Sequence, residues 1–174
     1  QHFNGSDIIS LVADDQGNNG TGGALTHHQD IVLNIAAVND APVITAPTTV
    51  DVVEDLDNAL TGISLADVDV SDTAGSKLDI TLAADHGSIT IGTLEGITFT
   101  ESTSNGAHTV SFEGNSSAVN AALASVSYHG DQDYTGADTL TVTTGDKGNS
   151  GSGGTLEDSH EIALTVTAVN DAPI

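Results

Sequence analysis

The chain contains no cysteine, methionine, tryptophan or arginine, and its only cationic residues are Lys77 and Lys147. Without cysteine there is no disulfide framework and no thiolate metal site. Two lysines cannot neutralise a phosphate backbone, which excludes nucleic acid as a partner. They also exclude attraction to an anionic lipid surface by charge. No run of about 18 apolar residues occurs, so no segment reads as a membrane-spanning helix. The first residues lack the basic, apolar pattern of a secretory signal. Three phenylalanines and two tyrosines offer little on which sugars could stack.

What the chain has in excess is acid. Its 25 aspartates and glutamates against two lysines give a formal net charge of −23 over 174 residues. Such a charge opposes compaction by self-repulsion, and there are too few cations for internal pairing. The acids are therefore either solvated or bound to metal. Most read as a solvated surface; a clustered subset reads as metal ligands.

A repeat organises the chain. The six residues Ala37-Val38-Asn39-Asp40-Ala41-Pro42 recur as Ala168-Val169-Asn170-Asp171-Ala172-Pro173, a spacing of 168 − 37 = 131 residues. Upstream of the hexapeptide, residues 3–43 align without a gap on 134–174, matching Gly5/Gly136, Asp7/Asp138, Asp15/Asp146, Gly17/Gly148, Leu25/Leu156, Ile31/Ile162 and Leu33/Leu164. A fixed period marks a repeat architecture, and this period has the size of a domain. Residues 44–174 thus read as one complete repeat, and residues 1–43 as the last third of a preceding one. Exchange of the leading strands between copies is an alternative reading of 1–43.

Apolar residues alternate with polar ones at Val50/Val52, Leu78/Ile80/Leu82, Ile89/Ile91, Ile97/Phe99, Val110/Phe112, Val126/Tyr128, Leu140/Val142 and Ile162/Leu164/Val166. Period two predicts strands with one buried face, and the turn-forming clusters between them predict an all-β antiparallel sandwich. One segment departs from this. Asn115 can cap a helix over 117–124 whose one face carries Val119, Ala122 and Leu123. Residues 1–43 supply strands near 8–13 and 31–38. The glycine-rich stretches 17–23 and 148–154 lack the Lys-Ser/Thr of a phosphate-binding loop and read as long hairpin connections.

On these residues the chain resembles the cadherin-like tandem repeats of large bacterial surface adhesins, of the kind found with RTX-type secretion. Val53-Glu54, then Gly62, then Ala66-Asp67-Val68-Asp69 resembles the cadherin first-strand glutamate followed by Asp-x-Asp. Ala13-Asp14-Asp15-Gln16-Gly17, followed by the strand ending at Pro42, resembles the cadherin closing loop, last strand and Asn-Asp linker. The middle, 78–146, also resembles chondroitin sulfate proteoglycan-type repeats. The resemblance implies a Greek-key, Ig-like sandwich and calcium at the domain junctions. Carried over residue by residue, it implies one site from Asn39, Asp40, Asp67, Asp69 and Asp146. It implies a second half-site from Glu54, Asp131 and Asp133 with Asn170 and Asp171, to be completed by a following repeat. The linker carries Ala37 and Ala41 where such linkers usually have further oxygen ligands, which implies fewer ions.

The chemistry agrees with that implication. Calcium takes six to eight oxygens from carboxylates, amides and backbone carbonyls. Asp67 and Asp69 would share a face if their segment were extended, and Pro42 stiffens the linker. Asp15, Asp55, Asp57, Asp72 and Asp146 equally suit Asx turns. Asp7 and Asp138 read either as ligands or as fold-determining acceptors.

No pattern for catalysis emerges. The seven histidines have no zinc-type spacing, there is no Gly-x-Ser-x-Gly elbow, and the carboxylate pairs fall where the junction sites would be. Asn4-Gly5-Ser6, Asn19-Gly20-Thr21 and Asn115-Ser116-Ser117 fit the glycosylation sequon. The expectation is a non-enzymatic, secreted or cell-surface repeat that acts as a calcium-stiffened extender between neighbouring repeats. A module that itself grips a glycan or another copy is the alternative.

Overall fold

The computed structural model describes residues 2–18, 20–70, 75–100, 103–148 and 151–171. Asn19, Asp72, Asn149 and the Ala172-Pro173 end of the second linker lie outside the described residues. The chain divides into two compact units, Gln1–Val38 and Asn39–Ile174.

The first unit is a hairpin of β1 (Gly5–Asp14) and β2 (Thr26–Ile35), paired antiparallel from Gly5↔Ile35 to Asp14↔Thr26. β1 runs beyond its predicted span at both ends, whereas β2 starts earlier than predicted and stops at Ile35 rather than 38. Both faces of the hairpin are exposed.

The second unit is an all-β sandwich with one short helix. Its elements in order are β3 (Val43–Thr45), β4 (Thr49–Val53), β5 (Asn58–Ala59), β6 (Ser64–Ala66), β7 (Leu78–Ala84), β8 (Gly87–Ile91), β9 (Ile97–Phe99), β10 (Thr109–Gly114), α1 (Ser116–Leu123), β11 (Val126–Gly130), β12 (Gly136–Gly145) and β13 (Glu157–Thr167). Every predicted alternation in this unit is a strand. A six-stranded sheet runs β4-β13-β12-β7-β10-β9, a three-stranded sheet runs β5-β11-β8, and β3 pairs with β6. All pairings in the unit are antiparallel except β13 with β4.

The inward residues of both sheets make one core. Leu78, Ile80 and Leu82 of β7, Leu140 and Val142 of β12, and Ile162, Leu164 and Val166 of β13 meet Ile89, Ile91, Val126 and Tyr128 from the smaller sheet. The helix carries the chain from β10 in one sheet to β11 in the other and closes the core with Val119, Ala122 and Leu123. Its cap is Asn115, whose side chain accepts from Ala118 N at 2.8 Å, as Asx residues do at helix starts.

Asp138 is a fold-determining acceptor. Buried at the start of β12, it takes hydrogen bonds from Tyr128 Oη at 2.7 Å, Thr139 N at 2.7 Å and the β7–β8 turn amides of Asp85 and His86 at 3.2 Å each. Burial first, and the Asp138 carboxylate second, push the Tyr128 hydroxyl well above its ordinary range, so it stays a donor. Gly87 is required here, because a Cβ at that position would run into the Tyr128 ring and lie 2.8 Å from His129 O.

Candidate metal centre

The two ends of β13 place two groups of acids apart. The strand has 11 residues, which at ~3.4 Å per residue puts its ends roughly 35 Å from one another.

The first group gathers at the start of β13. Asp146, just beyond β12, has its backbone N 3.1 Å from Leu156 O across the loop neck. Its Oδ1 accepts from Gly148 N at 2.8 Å and Leu156 N at 2.9 Å, so the Asx turn predicted for it forms. Its Oδ2 accepts from Asn39 Nδ2 at 2.5 Å. Asn39 also gives Nδ2 to Gly154 O at 2.8 Å and its backbone N to Ser152 O at 3.0 Å. The glycine-rich connection thus wraps the linker asparagine, as a long hairpin loop rather than a phosphate cradle.

Asp67 and Asp69 follow β6 directly. Asp69 N donates to Asp67 Oδ1 at 2.8 Å, so this segment is an Asx turn and not the extended stretch inferred from i, i+2 spacing. The turn still brings the Asp69 carboxylate to the linker, where Asp40 N donates to its Oδ2 at 2.6 Å. Asn39, Asp69 and Asp146 are buried. Burial, followed by the neighbouring Asp69 and Asp146 charges, raises the Asp67 carboxyl above its ordinary range. These bonds and charges link the five residues assigned to the first site in pairs, but no three of their carboxylates come within 4.8 Å of one another among the described residues.

Two oxygens in this group have no hydrogen-bond partner among the described residues although they are buried: Asn39 Oδ1 and Asp67 Oδ2. Buried acceptors are normally paired, and orphaning one costs roughly 1–3 kcal/mol. A neutral amide oxygen beside several carboxylates is a hard, all-oxygen donor set, of the kind that suits calcium. The donor types present suit that ion. Both lysines of the chain sit elsewhere, at Glu113: Lys77 Nζ is 2.6 Å from Glu113 Oε1, and Lys147 Nζ bonds its Oε2.

The second group lies at the far end of β13. Ligand oxygens of Glu54, Asp55 and Asp171 come within 4.8 Å of one another. Glu54 is buried; its N donates to Thr167 O at 3.0 Å and its Oε1 accepts from Val169 N at 2.7 Å. Asn170 lies beside Asp171, its Nδ2 3.3 Å from the Asp171 carbonyl. Asp131 and Asp133, assigned to this end with Glu54, are not in the group among the described residues. Asp131 Oδ1 faces His108 Nε2 at 3.3 Å, and Asp133 adopts a positive φ of 58°. In the sequence Asp55 reads only as a turn former, and its φ of 59° fits a turn. The signal that could have found it is its place next to Glu54, where a tight turn folds both carboxylates to one end.

A family model described as the Protein GAMETE EXPRESSED 2 domain matches residues 62–152. No curated protein matches the chain. Among solved structures, the chain is similar to human mucin-like protocadherin EC1-2, at 14% identity and a TM-score of 0.43, covering 92% of this chain and 69% of that one. It is also similar to a chain from a structure of Gaeumannomyces graminis manganese lipoxygenase with part of Komagataella pastoris zonadhesin. That match has 12% identity and a TM-score of 0.35, covering 91% and 55% of the two chains. The family matched differs from the bacterial adhesin repeats that the motifs resemble. Its model spans more than half of the 174 residues, from Gly62 beside β6 through the helix to Ser152 at the Asn39 loop, and the chain belongs to the GAMETE EXPRESSED 2 domain family.

Proposed function

We propose that this chain is a structural repeat of a longer extracellular protein. In this reading calcium, bound by Asn39, Asp40, Asp67, Asp69 and Asp146, stiffens the joint between successive repeats. The observation that carries the reading is the pair of buried acceptors with no hydrogen-bond partner among the described residues, Asn39 Oδ1 and Asp67 Oδ2, beside the charges of Asp69 and Asp146. A cation satisfies both oxygens and relieves the repulsion that raises Asp67. Because Asn39 and Asp40 lie on the linker and the other three on the sandwich, an ion there ties the linker to the repeat. Glu54, Asp55, Asn170 and Asp171 then form the matching half-site for a following repeat. The role is mechanical and adhesive rather than catalytic: the module extends and stiffens a secreted or surface-anchored chain, with neighbouring repeats as its partners.

Isothermal titration with calcium in chelator-treated protein tests the reading. Saturable binding that is lost in Asp67→Asn and Asp69→Asn is the expected result. Heat no different from buffer dilution in the unaltered chain would remove the calcium role.

A further inference from the structure

The β1–β2 hairpin repeats the register of β12–β13 pair for pair. Adding 131 to each register pair of the first converts Gly5↔Ile35 into Gly136↔Val166 and Asp14↔Thr26 into Gly145↔Glu157, the observed limits of the second. The loop neck is the same. Asp15 N lies 3.1 Å from Leu25 O, and Asp15 Oδ1 accepts from Gly17 N at 2.9 Å and Leu25 N at 2.8 Å, as Asp146 does with Leu156 and Gly148. Asp7 Oδ1 accepts from Ile8 N at 2.8 Å, as Asp138 does from Thr139.

What differs is the cover. Leu140, Val142, Ile162, Leu164 and Val166 are at most 3% exposed, whereas their counterparts Ile9, Leu11, Ile31, Leu33 and Ile35 range from 39% to 51%. β12 is flanked by β7 and β13 by β4, while β1 and β2 pair only with each other among the described residues. An isolated two-stranded hairpin is marginal in water, and two unpaired edges beside a bare apolar face are a template for association.

We infer that the bare face is an intramolecular docking surface whose occupant is an upstream segment of the same protein, built like residues 44–133 and completing a second sandwich. The pattern specifies that occupant. It brings a strand for the free edge of β1, as β7 does for β12. It brings a parallel strand for β2, as β4 does for β13. It presents turn amides and a tyrosine hydroxyl to Asp7, and an asparagine side chain of its own preceding linker to Asp15. A second copy of residues 1–174 is the weaker occupant. Its only acceptor of this kind already holds β12–β13, so exchange leaves one hairpin bare per chain. No metal enters this inference, and it stands or falls apart from the calcium reading.

Amide hydrogen exchange in chelator tests it, on the chain of 1–174 and on the protein extended through its own upstream sequence. In 1–174 the amides of β1 and β2 exchange fast while those of β12 and β13 are slow. In the extended protein the hairpin amides slow by about a hundredfold or more. Leu33→Asp there restores fast exchange in β1 and β2 and leaves β12–β13 unchanged. Hairpin amides that stay fast in the extended protein overturn the inference. So does protection in 1–174 alone that grows with concentration alongside a dimeric mass, which assigns the face to a second copy.

Discussion

Asp67, Asp69 and Asp146 are held together against their own repulsion, and the means are local. An Asx turn aims Asp67 and Asp69, backbone amides of the hairpin loop fix Asp146, and Asn39 reaches across to it. Glu113 is the opposite case, a carboxylate with two lysines. Hydrogen bonds from Lys147 first and Lys77 second lower its pKa from 4.5 to about 2. A lowered folded-state pKa contributes stability that is present above 4.5 and lost as the pH falls towards 2. The pair is exposed enough for solvent to screen most of it. The melting temperature of Glu113→Gln should therefore lie slightly below that of the unaltered chain at pH 7 and converge on it at pH 2–3. A gap that persists at pH 2 would assign the effect to packing rather than charge. At this scale the proximity of Asn39, Asp40, Asp67, Asp69 and Asp146 is legible in the sequence, because they sit in recognisable motifs. The far-end group is legible only in part. Glu54 and Asp171 stand 171 − 54 = 117 residues apart and meet through β13 pairing with β4. The family resemblance puts Asp131 beside them, but its carboxylate turns to His108.

At the scale of elements, period two locates every long strand of the second unit, because these strands bury one face against a single core. It cannot locate β3, β5 and β6. These span two or three residues each and, unlike the equally short β9 with Ile97 and Phe99, carry no apolar pair two residues apart, so tertiary pairing alone defines them. The helix is legible from a cap and three apolar residues. Its end shifts by one position because the cap at Asn115 places the first helical residue at Ser116. That cap predicts a modest, clean effect. Asn115→Ala removes the acceptor for Ala118 N and should destabilise the sandwich by about 1 kcal/mol, read by urea unfolding with an unchanged m-value. Asn115→Asp should restore most of the loss. An effect several times larger would mean that Asn115 supports more than the helix start.

At the scale of the whole molecule, a net charge of −23 is tolerable only if the acids are dispersed or neutralised. The chain does the first over most of its surface; the calcium proposed at the ends of each repeat would do the second there. Ions that bind only the folded state raise its stability, by about 2.7 kcal/mol at a hundred times the dissociation constant. For a sandwich of this size that corresponds to a rise in melting temperature of roughly 5–10 °C. The most direct measurement is thermal unfolding of the chain in chelator and then in millimolar calcium, with magnesium at the same ionic strength as the control. Calcium-stiffened joints predict a calcium-specific rise of that order, abolished in Asp69→Asn. Superimposable unfolding curves in chelator and calcium would contradict them, and would leave the acids as a solvated surface.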